Sequence, residues 1–175
     1  MIAYDFISAA PGSLDELQTE VIVLPFFSDE RPLRGAAGLI DWRLCGALSR
    51  KLMAGYLRGT FGEKALLANL GKLKSDRLLL VGLGESASFD HSVAQKACAL
   101  IAEALREAQV STAALALPGR SVGLMTAREA MQVWLAASPV DSELEELSII
   151  ELAQEHRALD SLFDGLRRQA ESPLD

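Results

Sequence analysis

Short continuous apolar runs alternate along this chain with longer stretches in which apolar residues recur every three or four positions. The short runs predict buried strands at 4–8, 20–27, 64–70, 77–82, 112–117 and 145–152. The periodic stretches predict helices at 39–54, 89–109, 126–137 and 155–171, after a single helical turn at 13–16. Strands and helices alternate in the second half of the chain, which is typical of a sheet covered by helices on both faces.

Residues at the ends of two predicted elements refine this picture. The strands at 64–70 and 77–82 are separated by few residues, so we expect them to be adjacent and antiparallel. The first long helix carries Asp41 in its first turn, where a negative charge suits the helix dipole, and we expect this helix to end at Gly55.

Two predicted helices carry the tryptophans of the chain. Trp42 and Trp134 each lie beside apolar positions, so we expect them to pack in the core or in an interface and not to form a stacking platform. Thr126 and Glu129 match a capping box, which predicts that the second of these helices begins there.

The segment 33–84 holds three motifs in a distinctive order. Gly38–Asp41 opens a helix, Gly59–Gly62 forms a turn before a strand, and Val81–Gly84 ends a hydrophobic strand. This order resembles the N-terminal domain of the leucine (cytosol) aminopeptidase family, and the resemblance extends from the first strand to about Ala137. It implies a three-layer α/β/α fold similar to macro domains, with a mixed sheet of about six strands.

The same resemblance implies a role without catalysis. In that family a larger metal-binding catalytic domain follows, and no stretch similar to its Asn-Thr-Asp-Ala-Glu-Gly-Arg motif occurs in this sequence. We therefore expect a stand-alone relative that is not an enzyme. In the family this domain supports assembly of a hexamer and in some members contributes to DNA binding. The first hypothesis is thus an interaction module, which associates with itself or docks onto a protein partner such as a separately encoded peptidase.

Length and charge agree with such a module. The 175 residues predict one domain over 1–175, and the net charge is −7. Ten Lys and Arg against three Asp and Glu lie within 31–77, whereas 141–175 holds ten acidic residues and three Arg. Mutual neutralisation, within one subunit or between subunits, explains this segregation better than nucleic-acid binding, because the basic residues are spread over a helix, two turns and a strand without aromatic interleaving of the single-strand-binding kind.

Other features limit the compartment and the cofactors. The longest apolar runs are far shorter than the ~20 residues of a membrane span, and the N-terminus lacks a basic signal region. Cys45 and Cys98 lie in predicted helices, which favours a reducing, cytoplasmic setting. Only two histidines occur, and neither a His-x-x-Glu nor a Cys-x-x-Cys pair is present, so we expect no metal and no cofactor.

A second hypothesis is a small anionic ligand, such as a nucleotide. Macro domains bind ADP-ribose in loops at the carboxyl ends of strands, and open α/β sheets place ligands there. The candidate ligand-binding residues here are Arg34, Gly35, Gly38, Asp41, Gly82, Gly84, Ser86 and Ser88. Two features favour simple structural turns instead: Leu24–Ser28 lacks the asparagine of the macro signature, and Glu85 would repel a phosphate.

A third hypothesis is a serine hydrolase. Gly119–Gly123 matches the G-x-S-x-G motif around Ser121, and Asp141 and His156 follow in the chain order of a catalytic triad. A nucleophile elbow requires a helix to begin at once after the serine, whereas the next predicted helix begins several residues later. A surface serine in a capped loop is therefore the favoured interpretation.

Overall fold

The computed structural model describes residues 2–69, 71–137 and 143–171. The strands are β1 (Ala3–Ser8), β2 (Val21–Phe26), β3 (Lys64–Ala68), β4 (Arg77–Gly82), β5 (Thr112–Ala116) and β6 (Glu146–Glu151). The helices are α1 (Pro11–Glu16), α2 (Gly35–Arg43), α3 (Ala47–Met53), α4 (His91–Glu107), α5 (Ala127–Ala137) and α6 (His156–Glu171). All predicted strands are present with slightly shifted ends, and Leu70 at the predicted end of one strand lies outside the described residues.

The strand β2 occupies the centre of the sheet. It is hydrogen-bonded in parallel to β4 on one side and to β5 on the other, and all six of its residues are buried. Val21 and Val23 point into a core beneath α4, α5 and α6, whereas Ile22, Leu24 and Phe26 point into a core on the side of α1, α2 and α3. Helices therefore cover both faces, which is why this strand is a continuous apolar run.

The sheet has six strands in the order β1-β6-β5-β2-β4-β3. Neighbouring strands are parallel except β3 and β4, which are antiparallel and adjacent as the sequence predicts. The mixed six-stranded sheet and the three-layer α/β/α architecture expected from the resemblance are therefore confirmed.

The prediction of one helix over 39–54 is wrong, because the chain forms the two helices α2 and α3 there. Cys45 and Gly46 between them have φ angles of 56° and 77°, which lie in the left-handed region and end α2. The sequence pattern does not indicate this break. Both α2 and α3 pack against the same core, so the apolar periodicity continues from one helix into the next.

The prediction that Asp41 lies in the first turn of a helix is wrong, since α2 begins at Gly35, but the charge of Asp41 has a structural role at this break. Asp41 is buried near the end of α2, and its Oδ1 accepts hydrogen bonds from the backbone N–H groups of Leu48 at 2.8 Å and Ser49 at 3.1 Å. Its Oδ2 accepts a further bond from the hydroxyl of Ser49. Asp41 therefore satisfies the first free N–H groups of α3, as a helix cap does.

The two tryptophans lie in different environments. Trp134 in α5 is fully buried, and its Nε1 donates a hydrogen bond to the hydroxyl of Tyr4 at 3.3 Å. Core packing is thus confirmed for Trp134. It is wrong for Trp42 at the end of α2, whose side chain is 71% exposed. Across the described ranges, none of the helices is both long enough and apolar enough to cross a membrane.

Gly82 at the end of β4 is packed closely against the backbone of the turn at 59–62. A Cβ at this position would lie 2.1 Å from the carbonyl oxygen of Thr60 and 2.8 Å from the carbonyl carbon of Gly59, both of which are backbone atoms. We expect Gly82→Ala to destabilise the domain by about 3 kcal/mol in urea unfolding, because the turn must move. Gly165→Ala in α6, where a Cβ would meet nothing within 4 Å, should be neutral or slightly stabilising. Equal stability of the two variants would contradict this account.

Candidate functional site

Three loops meet at the carboxyl edge of the sheet. They follow β2, β5 and β4, three neighbouring strands whose parallel direction brings their ends to one edge. The loop after β2 spans 27–34, the loop after β4 spans 83–90, and the loop after β5 spans 117–126. This edge is where an open α/β sheet would bind a ligand, so the groups that occupy it decide what it can bind.

Glu30 ties the loop after β2 to the loop after β5. Its side chain is buried, and its Oε2 accepts hydrogen bonds from the N–H of Phe27 at 3.1 Å and from the hydroxyl of Ser121 at 3.0 Å. Its Oε1 accepts a bond from the N–H of Arg34 at 2.9 Å, immediately before α2. One carboxylate therefore joins both loops and the start of the helix.

Asp29 joins the loop after β2 to the loop after β4 in a similar way. Its carboxylate accepts hydrogen bonds from the hydroxyl of Ser86 and from the N–H of Ser86, the latter at 2.9 Å. These two bonds lower the pKa of Asp29, so its charge is retained at neutral pH. The N–H groups of Leu83 and Gly84 donate to Phe26 and Gly59, respectively. The donors that a phosphate would need in this loop are thus largely in use.

Arg120 and Glu151 form an ion pair beside these loops. The guanidinium donates from Nε at 2.6 Å and from Nη2 at 3.0 Å to the two carboxylate oxygens of Glu151, which is buried. Its Nη1 donates to the carbonyl of Met125 at 2.6 Å. These bonds to Glu151 raise the pKa of Arg120 and leave its charge neutralised by a partner of the same chain.

A small pocket remains between these loops and the start of α2. Its volume is about 170 Å³, and its lining includes Ala36, Arg120, Ser121 and Glu151. The backbone of α2 comes close to the loop after β5, since a Cβ on Gly35 would lie 3.4 Å from the Cα of Ser121. The pocket is smaller than the ~300 Å³ at which ligand sites typically begin.

The structure brings together only part of the candidate ligand-binding set. Arg34 and Gly35 line the small pocket, and Ser86 lies beside the neighbouring hollow with Asp29. The other five have other positions. Gly38 and Asp41 line a hollow beside Trp42, Gly82 and Gly84 pack against the turn at 59–62, and Ser88 is on the surface.

Sequence reasoning missed Asp29, Glu30 and Glu151, the carboxylates that occupy the carboxyl edge. The positions of Asp29 and Glu30 directly after a buried strand were the available signal, because such residues point to the edge where ligands bind. Their contacts with Ser86 and Ser121 join residues far apart in the chain.

The contacts of Ser121 and His156 differ from those of a catalytic triad. The hydroxyl of Ser121 bonds to the Glu30 carboxylate. His156 Nε2 lies 3.1 Å from the carbonyl oxygen of Glu151, and the imidazole packs against Phe6 with ring centroids 5.8 Å apart. Asp141 lies outside the described residues. Within 2–69, 71–137 and 143–171, moreover, no group of three or more His, Cys, Asp or Glu side chains is arranged to hold a metal ion.

Comparison with known proteins identifies the family. The model of the N-terminal domain of the cytosol aminopeptidase family matches residues 23–138, so the chain belongs to this family through that domain. A probable cytosol aminopeptidase of Pseudomonas syringae pv. tomato is 34% identical over 110 residues, which are 63% of this chain and 22% of that protein. One from Geobacter sp. strain M21 is 36% identical over 107 residues, 59% of this chain and 21% of that protein. This chain thus spans about a fifth of the length of these relatives.

Solved structures confirm the macro-like fold. A mutant of tomato leucine aminopeptidase superposes with a TM-score of 0.62 at 20% identity, covering 91% of this chain and 35% of that chain. A mutant Oceanobacillus iheyensis macrodomain gives 0.67 at 13% identity, with 93% and 92% covered. A Trypanosoma brucei macrodomain in complex with ADP gives 0.70 at 14% identity, with 91% and 67% covered. At these identities the likeness extends to the fold alone.

The bonds of Glu30 lead to a stability prediction. Glu30→Gln replaces one acceptor oxygen by an amide that cannot accept from Phe27, Arg34 and Ser121 together. We expect a loss of about 1–3 kcal/mol in the free energy of unfolding, measured by urea denaturation. Glu85→Gln, an exposed change in the neighbouring loop, should stay within about 0.5 kcal/mol of the wild type. If Glu30→Gln were as stable as Glu85→Gln, the carboxylate would not be what joins these loops.

Proposed function

We propose that this domain is a non-catalytic interaction module whose copies associate with one another. The observation that carries the proposal is the exposure of large apolar side chains on the surface of a well-packed domain. Trp42 is 71% exposed, and Met53 and Tyr56 are each 79% exposed, all three within or just after the short helices α2 and α3. Trp, Tyr and Met are enriched in the centres of protein interfaces.

The charges near these side chains support association. The segment 31–77, which contains α2 and α3, holds ten Lys and Arg against three Asp and Glu. Arg50 and Lys51 lie in the last turn of α3, and Arg58 follows Tyr56 closely. Basic residues close along the chain to these apolar groups favour a partner surface of opposite sign, which the acidic segment 141–175 of another copy would supply.

The carboxyl edge supports an interaction module more than a receptor for nucleotides. Asp29, Glu30 and Glu151 place three carboxylates there, and Arg120 is held by one of them. A phosphate would have to displace these contacts and would meet negative charge. The catalytic groups of the relatives would lie in the part of their length that this chain does not span, so the proposal requires no chemistry of its own.

Self-association is directly measurable. We expect sedimentation velocity of the full chain to show a dimer or larger assembly that grows from low to high micromolar concentration at physiological ionic strength. Sedimentation at high salt should separate the apolar and charged contributions, because exposed ion pairs are screened and apolar contacts are not. A single monomeric species at every concentration and salt would contradict the proposed function.

The competing function is a nucleotide receptor, since one structural neighbour is a macrodomain in complex with ADP. A ligand specific for the native state adds about 2.7 kcal/mol of stability at a hundred times its dissociation constant. We expect ADP, ADP-ribose and inorganic phosphate to leave the melting temperature unchanged in differential scanning fluorimetry. A rise with ADP-ribose that disappears in Ala36→Val would favour the receptor instead, because Ala36 lines the small pocket.

A further inference from the structure

The strand β3 lies at one end of the sheet order, with β4 as its neighbour. Its backbone hydrogen bonds to β4 are fixed at both ends of the pair. Gly82 donates its N–H to the carbonyl of Glu63 at 2.8 Å, and Asn69 donates its N–H to the carbonyl of Asp76 at 3.3 Å. Because bonded and non-bonded positions alternate along an antiparallel pair, these two contacts determine which residues of β3 bond to β4.

Ala65 and Leu67 are the residues of β3 whose backbone groups bond to β4. Lys64, Leu66 and Ala68 therefore direct their N–H and C=O groups outward, away from the sheet. No backbone partner for these groups is found within the ranges that the structure describes. The outer edge of β3 thus presents three residues in a row, each with one unpaired backbone N–H donor and one unpaired backbone C=O acceptor.

We propose that two copies of this chain pair through β3 in an antiparallel, two-fold arrangement centred on Leu66. This inference rests on the self-association in the proposed function and adds a contact that is separate from the exposed side chains of α2 and α3. In this register Leu66 faces Leu66 of the second copy, and Lys64 faces Ala68 at either end. Each facing pair exchanges two backbone hydrogen bonds, and the two sheets become one continuous sheet of twelve strands.

The side chains at this edge favour the same register. Lys64, Leu66 and Ala68 are exposed and lie on the face covered by α4, because successive residues of a strand point to opposite faces. Leu66 is 51% exposed and borders an apolar hollow of about 260 Å³, whose floor includes Leu79 and Leu105. Pairing would place the two Leu66 side chains in contact beside this hollow and remove apolar surface from water.

The charges at the edge are compatible with a second copy. Lys64 already pairs with Glu107 at the end of α4, with 3.0 Å between Nζ and Oε2, and in the proposed register it faces Ala68 and no other cation. A shift of the register by two residues would leave two facing pairs where the centred arrangement has three. The opposite edge of the sheet, β1, has the exposed charge of Asp5 near its middle, which opposes pairing there.

Charge substitution at the centre of the contact is the first test. Leu66→Lys would place two cations directly opposite each other, so we expect the dissociation constant for self-association, measured by sedimentation, to rise roughly tenfold or more. Leu124→Lys is the matched control, because Leu124 is a 46% exposed leucine in the loop before α5, outside β3. The control should leave the constant within about twofold of the wild type. Melting temperatures of both variants establish that they are folded.

Thiol cross-linking tests the register itself. Directly opposed residues in a hydrogen-bonded pair have Cβ atoms about 5.5 Å apart, which exceeds the ~3.5–4.5 Å of a relaxed disulfide but lies within reach of a bifunctional thiol reagent with a short spacer. In a Cys45→Ser background, which removes the exposed native thiol, Leu66→Cys should form a covalent dimer when treated with such a reagent. Leu124→Cys in the same background should stay monomeric on a non-reducing gel. The remaining thiol of Cys98 is buried, which raises its pKa to about 12 and keeps it unreactive.

The outcomes separate this inference from the proposed function. If the wild type associates but Leu66→Lys leaves the dissociation constant unchanged and Leu66→Cys gives no covalent dimer, the β3 contact is overturned while self-association stands. A loss of association in Trp42→Lys alone would then assign the contact to α2 and α3. If the wild type is monomeric throughout, both the proposed function and the β3 contact fail.

Discussion

The burial of β2 on both faces is the constraint on which the rest of this structure depends. Its six residues, Val21–Phe26, are all buried, and their alternation supplies apolar side chains to two separate cores. A strand in this position requires a helical layer on each side, because its apolar surface must be covered twice. The two helical layers follow from that requirement.

The same constraint gathers the ends of β2, β4 and β5 at one edge and so creates the place where macro-like folds could bind a ligand. In this chain the edge is filled by the chain's own carboxylates, and Glu30 alone accepts three hydrogen bonds there. The fold and the ligand chemistry are therefore set by different parts of the chain. The sheet positions the loops, whereas the side chains in the loops decide whether this edge binds an external anion or a carboxylate of the same chain. Family membership through the N-terminal domain therefore says little about what this edge binds.

Sequence patterns predicted most of the fold because they report burial directly. The continuous apolar run at 20–27 and the capping box of Thr126 and Glu129 are local signals, and both correspond to observed elements. The break between α2 and α3 had no such signal, because Cys45 adopts a left-handed conformation that its residue type does not favour. The exposure of Trp42 was equally hidden, because apolar neighbours in sequence do not reveal which face of a helix meets the sheet.

The sequence by itself determined the class of fold, the family, the position of the buried strands and the segregation of charge, since each depends on residue type and local spacing. Only the tertiary structure decided the site and the surface. The bonds from Asp29 to Ser86 and from Glu30 to Ser121 join residues distant in the chain, and the outward groups of β3 depend on its register with β4. Such contacts arise when strands assemble side by side, and no periodicity along the chain encodes which distant loops then meet.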